Sequence, residues 1–484
     1  MANTDIKRFS NFIGSWKTPK EGDFFENHNP ADYNDVIGLF PMATLEDTKD
    51  AIASAHAALP AWSKTPAPAR GAILDKASQI LTSRIDEIAT VLTREEGKTL
   101  AEAKGEVTRA RDIFKYYGGE GWRYGGQVLP SSVNDELLYT RREPLGVVSI
   151  ITPWNFPIAI PAWKIAPALI YGNTVIFKPA EDAPRTALML VEALLEAGLP
   201  SGVINFLTGD GTLIGTEMAS NPKVNGITFT GSHNTGTKVY QNAIKNMARV
   251  QLEMGGKNAL VVLKDADLEL AVKLAITGGF GLTGQACTAT SRIIVEEEVA
   301  NVFVSALTTA TKNLKIGNGL ESGVNMGPLV NQDQLQTSQS YMTLGQKEGA
   351  KLLLGGEVDG AKGYFAQATI FDHVEPTMRI AQEEIFGPVI SIIRANGLND
   401  AIEKANTISF GLSASVVTNN LQHAFAFANQ IDAGVVKINE PTTGLALNAP
   451  FGGFKGSSAN TFKEQGQAAM DFYTRTKTIY VNHG

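Results

Sequence analysis

Short β-branched runs alternate with helical segments between Val147 and Met254, and this alternation constrains the fold more than any other feature of the chain. Helical segments long enough to cross over between strands favour βαβ units and a parallel sheet. In an open sheet of this kind, ligands bind at the carboxyl ends of the strands. The residues that follow each strand are therefore candidates for ligand binding. The predicted strands span residues 147–151, 174–177, 202–206, 226–229 and 249–252.

A second alternating series runs from Asn258 to about Asn439 and predicts a second α/β lobe. Two lobes also suit the length, because 484 residues exceed the roughly 250–300 at which one hydrophobic core stops growing. The predicted fold class is therefore α/β with two lobes, large enough to enclose a cleft. The predicted strands of this second lobe span residues 259–263, 292–295, 388–393, 414–418 and 435–438.

Helices and extended arms flank the two series. Residues 127–142 are polar, bend near 130–134, and are expected to form an extended β arm, while residues 476–481 alternate like an edge strand. Unpaired strand edges suggest that the chain forms a homo-oligomer. Apolar residues at three- and four-residue spacing predict two helices with prolines between them. The first helix is predicted over residues 45–59 and the second over residues 70–93, and Pro60, Pro66 and Pro68 lie between them.

Charge and composition exclude several classes of partner. The formal net charge of −7 provides no broad attraction to nucleic acid or anionic lipid. The apolar stretch 158–170 contains Pro161, Lys164 and Pro167, and it is shorter than the roughly 20 apolar residues that cross a bilayer. Residues 1–9 lack the apolar segment of a secretory signal. A single cysteine permits no internal disulfide and suits a reducing compartment, so we expect a cytoplasmic protein.

Three residues stand out as candidates for chemistry, each with a structural alternative. Cys287 lies in a run of glycine and small polar residues, where a reactive thiol could meet a substrate, although most free cysteines are buried packing residues. Glu253 ends a predicted strand and is either a solvated carboxylate or a general base. Asn155 is either a turn residue or an amide donor to an oxyanion.

Other common catalytic and metal-binding patterns are missing from the sequence. The six histidines show no i,i+4 pair and no cysteine-based metal spacing, so no metal site is predicted. There is no Gly-x-Ser-x-Gly elbow and no P-loop. Gly209-Asp-Gly211 is only a partial match to a dinucleotide fingerprint. The residues by themselves thus predict a two-lobed α/β enzyme with a candidate thiol.

The chain resembles the aldehyde dehydrogenase superfamily in seven motifs. They follow the family order and span nearly the whole sequence, which makes chance agreement negligible. The motifs are Pro153-Trp-Asn-Phe-Pro157, Phe177-Lys-Pro-Ala-Glu181, Phe229-Thr-Gly-Ser232, Leu252-Glu-Met-Gly-Gly-Lys-Asn258, Gly284-Gln-Ala-Cys287, Glu383-Glu-Ile-Phe-Gly-Pro388 and Pro450-Phe-Gly-Gly-Phe-Lys455.

The resemblance implies a role for each matched residue. Cys287 matches the nucleophile that forms a thioester, Glu253 the general base, and Asn155 the oxyanion donor. Other matched residues are expected to bind NAD, with NADP as the alternative, because Glu181 would repel a 2′-phosphate whereas Lys178 could accept one. The expected cofactor-binding residues are Ile151, Thr152, Pro153, Trp154, Lys178, Glu181, Gly211, Phe229, Gly231, Ser232, Glu384 and Phe386.

The family resemblance also implies a domain organisation. The expected NAD(P)-binding domain, of Rossmann type, comprises residues 1–126 and 143–254, and the catalytic domain comprises 255–445. Residues 127–142 and 446–484 would form an oligomerisation arm and C-terminal tail, in a homodimer or homotetramer. One departure from the family pattern lies at His233-Asn234, where relatives commonly carry a small residue and an acid.

The expected substrate is a small aldehyde, and the resemblance points to one with a distal carboxylate. Arg109 is the candidate to bind that carboxylate, with an exposed, ion-paired arginine as the alternative. The chain resembles the 2-oxoglutarate semialdehyde (2,5-dioxopentanoate) dehydrogenases in residues 436–444, 457–458 and 461–466. Glu464, in the last of these segments, could relay protons behind the general base. The expected substrate-binding residues are Arg109, Phe156, Trp163, Ala286, Thr288 and Phe451.

Three alternatives to this substrate and activity stay open at this point. A broad-specificity or succinic semialdehyde dehydrogenase is the first, although the succinic semialdehyde branch usually has arginine where this chain has Trp163. A CoA-acylating relative is the second, although such enzymes lack the base that Glu253 matches. A catalytically silent structural relative is the third, and it would not need Cys287, Glu253 and Asn155 together.

Overall fold

A computed structural model of the chain describes residues 6–19 and 23–484. Residues 1–5, the start of the segment expected to lack a secretory signal, lie outside the described residues, as do residues 20–22. Two seven-stranded sheets dominate the fold, and a three-stranded sheet stands apart from them. Within the described ranges, no helix is long and apolar enough to cross a membrane.

The first seven-stranded sheet contains the five strands predicted between Val147 and Met254. These five are parallel, as the alternation with helices predicted, and two short antiparallel strands near the N-terminus extend the sheet at one edge. In spatial order the strands are Arg249–Met254, Gly226–Gly231, Val147–Ile151, Thr174–Lys178, Ile204–Phe206, Asn11–Phe12 and Trp16–Lys17.

Helices cover both faces of this sheet, which explains why its strands are apolar almost throughout. Neighbouring strand residues enter opposite cores, with Val147 in one cluster and Val148 in the other. The helices of one face are Leu45–Lys64, Gly211–Ser220 and His233–Ala243. Those of the other are Ala67–Ser83, Ile85–Glu96, Leu100–Glu120, Ala159–Ile170 and Pro184–Glu196.

Both predicted helices differ from the structure, and of the three prolines predicted to separate them only Pro66 lies between helices, because Pro68 is inside helix Ala67–Ser83. The first helix runs through Pro60 to Lys64. Pro60 and His56, whose carbonyl the proline leaves without its helical donor, are both exposed, so water can satisfy that carbonyl. The segment predicted as one helix over 70–93 is two helices that meet at Arg84, whose backbone conformation is not helical.

The second seven-stranded sheet has the same plan. It includes two strands that the sequence analysis did not identify, because each has only four residues and no clear alternation. In spatial order the strands are Lys351–Leu354, Thr369–Asp372, Val389–Ala395, Thr290–Glu296, Asn258–Val262, Ser413–Val417 and Val435–Ile438. The helices around them are Leu268–Phe280, Glu297–Thr311, Gln332–Lys347, Arg379–Gln382, Gly397–Asn406 and Leu421–Gln430.

The three-stranded sheet joins the predicted arm to the end of the chain. Strand Thr474–Asn482 pairs antiparallel with Glu136–Pro144 over their full lengths, and Val128–Leu129 lies on the other side. The remaining elements are short: the hairpin Phe24–Asn29 with Asp32–Pro41, the pairs Val358–Asp359 with Phe365–Ala366 and Phe410–Gly411 with Phe454–Lys455, helix Ala468–Tyr473, and 3₁₀ turns Ile244–Asn246 and Gly281–Gly284.

The C-terminal stretch before strand Thr474–Asn482 packs back onto the first lobe. Phe451, Phe472 and Tyr473 belong to the same buried cluster as helices Leu100–Glu120 and Ala159–Ile170. Leu412, from the second lobe, also enters this cluster. The two lobes and the C-terminal stretch therefore meet around one cleft. The domain boundaries that the family resemblance implies stay a prediction.

Candidate active site

The carboxyl ends of the first sheet face the second lobe across a cavity of about 470 Å³. Cys287 and Asn155 line this cavity, together with every expected cofactor-binding residue except Gly211. Gly211 lies beside it, because its N–H donates to Glu181 Oε1 at 3.0 Å. The lining residues that sequence reasoning did not name are Ala180, Thr230, Thr235, Met254, Gly255, Gln334, Thr337 and Ile385.

Strand pairing explains why the predicted residues converge. Ile151 pairs with both Lys178 and Phe229 in the parallel register, so the loops after these three strands leave the sheet at the same edge. After the strand Gly226–Gly231, Ser232 caps the helix His233–Ala243 by accepting the N–H of Thr235. A helix N-terminus at this edge presents N–H groups suited to a phosphate.

Lys178 and Glu181 form one polar end of the cavity. The Lys178 ammonium donates to Pro179 O at 3.0 Å and to Glu181 Oε1 at 3.2 Å. Burial lowers the pKa of Lys178, and Glu181 partly opposes that shift. Because the Glu181 side chain is 43% exposed, its carboxylate can reach a ligand while the buried ammonium holds it in place.

Glu384 and Phe386 also line the cavity. The Glu384 carboxylate accepts the N–H of Gly256 at 3.0 Å, and burial raises its pKa to about 7. Phe386 has a φ of 58° and turns its ring edge against Trp154, with centroids 5.4 Å apart. Gly255 lies directly against the Glu384 carboxylate, so the backbone there has no room for a side chain.

Hydrogen bonds from Asn258 hold the backbone at Cys287 in place. Asn258 Nδ2 donates to Cys287 O at 2.8 Å and to Ala289 O at 2.9 Å. Just before the cysteine, Leu282 and Thr283 adopt left-handed backbone conformations, with φ of 53° and 56°. Burial, reinforced by Glu384 and Glu253, raises the pKa of the Cys287 thiol to about 12. The thiol is therefore neutral in the cofactor-free enzyme near pH 7.

Asn155 is buried and lines the same cavity as Cys287. Its Nδ2 donates to Gln285 O at 2.9 Å, two residues before the cysteine. An amide nitrogen carries two hydrogens, so this bond fixes the side chain and leaves one N–H for a further acceptor. Asn155 Oδ1 has no hydrogen-bond partner within the described part of the chain.

Glu253 is a buried carboxylate that accepts one long hydrogen bond. The N–H of Gly453 donates to Oε2 at 3.3 Å, whereas Oε1 has no partner among the residues that the structure describes. Burial, with the nearby Glu464 carboxylate as the second cause, raises the pKa of Glu253 well above its usual range, and Lys463 and Lys164 oppose this shift. Raised proton affinity is expected of a general base.

Glu464 lies at the centre of a buried polar cluster behind Glu253. Its Oε1 accepts from the Lys164 ammonium, and its Oε2 accepts from Trp163 Nε1 at 2.7 Å. Thr228 accepts from Lys164 at 2.7 Å and donates onward to Gln251. The carboxylate that sequence analysis associated with Glu253 is thus linked by hydrogen bonds to two residues of helix Ala159–Ile170.

The expected substrate-binding aromatic residues differ in exposure. Trp163 and Phe451 are 6% and 2% exposed and pack at a centroid distance of 6.0 Å. Phe156 is partly exposed, and the Lys98 ammonium lies 4.6 Å from its ring centroid. Ala286 and Thr288, on either side of Cys287, are both buried. Phe156 therefore offers the most accessible aromatic surface of the three.

Arg109 is half-buried and binds only neutral groups. It donates to Leu445 O at 2.6 Å and to Gln465 Oε1 at 2.8 Å. Among the described residues, no carboxylate lies within ion-pair distance of it, whereas Arg111, two residues on, pairs with Asp112. Burial lowers the pKa of Arg109. Leu445 packs on the same apolar cluster as Phe156 and Cys287.

Sequence reasoning missed a buried ion pair beside Asn155. Lys98 Nζ contacts Glu106 Oε2 at 2.5 Å, and both side chains are almost completely buried. The available signal was the position of Glu106 on helix Leu100–Glu120, where it interrupts the apolar stripe formed by Ala103, Val107 and Ala110. A charge on a buried face indicates a partner elsewhere in the fold, but the pattern does not identify that partner.

The sequence is similar to those of known proteins along nearly its whole length. The model of the aldehyde dehydrogenase family matches residues 16–479. The alpha-ketoglutaric semialdehyde dehydrogenase of Bacillus subtilis is 48% identical over 483 residues, covering 99% of both chains. The 2,5-dioxopentanoate dehydrogenase of Saccharolobus solfataricus is 44% identical over 477 residues, covering 98% of this chain and 99% of that protein.

Two solved structures match the fold of this chain over nearly its whole length. The betaine aldehyde dehydrogenase of Staphylococcus aureus in complex with NAD⁺ superposes with a TM-score of 0.95 at 33% identity, covering 99% of this chain and 95% of the other. An NADP-dependent enzyme of E. coli gives the same TM-score at 34% identity, covering 98% of both chains. These matches confirm the fold class and the family resemblance that the seven motifs indicated.

Proposed function

Because this chain belongs to the aldehyde dehydrogenase family and is an NAD(P)-dependent aldehyde oxidoreductase, we propose that it oxidises a semialdehyde acid to a dicarboxylic acid. The proposed substrate is 2-oxoglutarate semialdehyde, and the preferred cofactor is NAD. The names of the relatives above support the substrate class. The observation that carries the proposal in this chain is the half-buried Arg109, whose guanidinium has only neutral partners.

Cys287 is the proposed nucleophile. After the Cys287 thiol has lost its proton to solvent water, the thiolate attacks the aldehyde carbon, and the oxyanion that forms accepts hydrogen bonds from Asn155 Nδ2 and the Cys287 backbone N–H. The bond from Asn155 to Gln285 supports this role, because it fixes the amide while leaving one N–H free. Loss of hydride from the tetrahedral adduct leaves an acyl thioester on Cys287.

Glu253 is the proposed base for hydrolysis of that thioester. It takes a proton from water, the hydroxide adds to the thioester carbon, and collapse releases the carboxylic acid and the Cys287 thiolate. The buried position of Glu253 and its raised pKa support this role. Glu464, hydrogen-bonded to Lys164 and Trp163, would accept the proton onward and return Glu253 to its ionised form.

The residues that line the cavity are of the types that would bind a dinucleotide. Lys178 and Glu181 would hold the adenosine ribose, the capped helix N-terminus at Ser232 the pyrophosphate, and Glu384 and Phe386 the nicotinamide end. Bound NAD supplies the acceptor for the hydride. We infer a preference for NAD over NADP because the partly exposed Glu181 carboxylate would repel a 2′-phosphate.

Arg109 is proposed to bind the distal carboxylate of the substrate. Its two bonds to neutral oxygens leave further N–H groups on the guanidinium unused. Among the described residues no carboxylate forms an ion pair with it, and Asp112 acts on its charge only from a longer distance. A partly desolvated guanidinium attracts a carboxylate more strongly than an exposed one does. Hydrogen bonds to charged groups contribute about 1.5–3 kcal/mol, which corresponds to roughly 10- to 150-fold in kcat/KM.

The test compares aldehydes with and without the carboxylate. R109Q should lower kcat/KM for 2-oxoglutarate semialdehyde by about 10- to 150-fold and leave that for the neutral aldehyde pentanal within about threefold. R111Q, on the same helix but paired with Asp112, is the matched control. Equal losses with both aldehydes would remove Arg109 from substrate recognition. An enzyme that prefers pentanal or succinic semialdehyde would be a broad-specificity or succinic semialdehyde dehydrogenase instead.

We further infer that the enzyme is a cytoplasmic homo-oligomer. Strand Thr474–Asn482 lies at the edge of its sheet, and the sheet exposes Val128, Leu137 and Tyr480, which are 77%, 43% and 65% accessible. A nine-residue unpaired edge with exposed apolar side chains favours pairing with a second copy. Light scattering should give a dimer or tetramer, and a monomer at micromolar concentration would contradict the inference. The lone cysteine suits a reducing cytoplasm.

A further inference from the structure

A buried ion pair holds the segment that carries Asn155. Lys98 Nζ donates to the backbone oxygen of Asn155 at 2.7 Å and to Glu106 Oε2 at 2.5 Å. The two side chains are 0% and 3% exposed. We propose that Lys98 and Glu106 are positioning residues for the oxyanion donor, so that their contribution to catalysis passes through Asn155. This inference rests on the role proposed for Asn155 above.

The pair fixes both ends of a five-residue segment. While Lys98 holds Asn155 at its start, Glu106 Oε1 accepts the N–H groups of Ile158 and Ala159 at 3.0 and 3.1 Å. Ile158 and Ala159 begin helix Ala159–Ile170, where N–H groups have no helical acceptor of their own. One carboxylate therefore caps this helix and orients the ammonium that holds Asn155.

The same ammonium also contacts the aromatic wall of the cleft. It lies 4.6 Å from the ring centroid of Phe156, between Asn155 and the capped helix start. The Asn155 side chain itself donates to Gln285 O. The amide is thus fixed from two directions, its side chain by the loop of Cys287 and its backbone by Lys98.

The precise placement of Asn155 explains such a buried ion pair better than a gain in folding stability does. Removing two charges from water costs several kcal/mol per ion, and apolar replacements of buried ion pairs are often no less stable. An oxyanion donor, in contrast, must lie within a few tenths of an ångström of its productive position, and a misplacement of about 1 Å can cost on the order of 100-fold in rate.

A double-mutant cycle with Asn155 tests the proposal. The assay is NADH formation from 2-oxoglutarate semialdehyde at saturating NAD. K98M should lower kcat by about 10- to 100-fold, whereas in the N155A background it should lower kcat by less than about threefold, because the residue it acts through is already gone. The Kd for NAD and the rate of Cys287 alkylation by iodoacetamide should stay within about twofold of wild type in all variants.

The matched control is K104M. Lys104 lies on the adjoining helix and forms an ion pair with Asp86 at 2.7 Å, but both side chains are substantially exposed. Loss of an exposed pair costs about 0.2–1 kcal/mol of stability, and kcat should not change. K98M could unfold the protein by leaving two buried carboxylates unpaired, Glu106 and Glu96, whose Oε2 lies 3.8 Å from Lys98 Nζ. In that case K98M/E106Q removes the charges of Lys98 and Glu106 and keeps an oxygen for the N–H groups of Ile158 and Ala159.

Each outcome decides the proposal. A large loss of kcat in the wild-type background that disappears with N155A supports positioning through Asn155. An equal factor in both backgrounds, or no loss in K98M or in K98M/E106Q, overturns it. If N155A by itself retains nearly full kcat, the proposed oxyanion role of Asn155 fails, and this failure is visible without reference to Lys98.

Discussion

Replacing Gly255 with alanine tests the cofactor end of the site with a single methyl group. A Cβ built on Gly255 would lie closer than 3.0 Å to all three terminal atoms of Glu384, namely Cδ, Oε1 and Oε2. The backbone of Gly255 is not in the left-handed region, so G255A introduces a steric conflict without backbone strain. Relief of this conflict requires the Glu384 carboxylate to retreat by on the order of 1 Å.

The expected result is a defect in hydride transfer. Glu384 is proposed to hold the nicotinamide end, and its bond to Gly256 N–H is a further constraint that the displacement would break. A displacement of this size should lower kcat by about 100-fold, equivalent to about 2.7 kcal/mol in the activation free energy. The Kd for NAD should rise less, because the proposed contacts at Lys178, Glu181 and Ser232 are unaffected.

The assay measures NADH formation in single turnovers and NAD binding by titration. The matched control is G105A, since a Cβ at Gly105 meets nothing within 4 Å and the residue lies inside helix Leu100–Glu120. Alanine in a helix interior should stabilise by about 0.5–1 kcal/mol relative to glycine and leave the rate unchanged. If G255A turned over as fast as G105A, Glu384 would not need its present position and the steric argument would be refuted.

Further predictions concern the thiol, the base and the ribose contact. In cofactor-free enzyme the rate of Cys287 alkylation should rise with pH throughout the range 7 to 10, because a thiol with a pKa of about 12 gains thiolate over that whole range; a plateau below pH 9 would contradict it. E253Q should give a burst of one NADH per active site followed by slow turnover, as acylation survives without the deacylation base, and equal loss of burst and steady state would argue otherwise. E464Q removes the second cause of the raised Glu253 pKa, so the acid limb of the kcat profile should move to lower pH, and an unchanged or upward-shifted limb would exclude the coupling. E181Q should improve kcat/KM for NADP relative to NAD by about fivefold, because two unit charges about 4 Å apart in water repel by about 1 kcal/mol, and an unchanged ratio would place the discrimination elsewhere.

Local patterns were sufficient to predict the two sheets and the residues at their carboxyl ends. Val147–Ile151 and Val435–Ile438 begin and end where the sequence predicted, because β-branched runs between turn residues define their own boundaries. The parallel register then forces the loops after neighbouring strands together. For this reason the order of residues along the chain is enough to place Trp154, Lys178 and Ser232 on one cavity.

Contacts between distant segments could not be predicted in this way. Arg109 binds Leu445 and Gln465, which follow it by 336 and 356 residues, and Lys98 reaches Asn155 across 57 residues. No periodicity relates such positions, since the packing of the C-terminal stretch on the first lobe brings them together. The family resemblance supplied candidate roles for some of these residues but could not show what each side chain binds.

Glu253, the proposed base, shows what sequence reasoning can predict and what it cannot. Its residue type and its place at the end of Arg249–Met254 are local properties, and both follow from the sequence. Its proton affinity is not local, because burial depends on the C-terminal stretch that covers it and the second largest cause is Glu464 from that same stretch. The raised proton affinity that supports the proposed base role therefore arises only once residues some 200 positions later have packed against this strand-end glutamate. Loss of that packing should remove hydrolysis of the thioester before it removes binding of NAD, since the walls of the cofactor cavity are built from the two sheets and their loops.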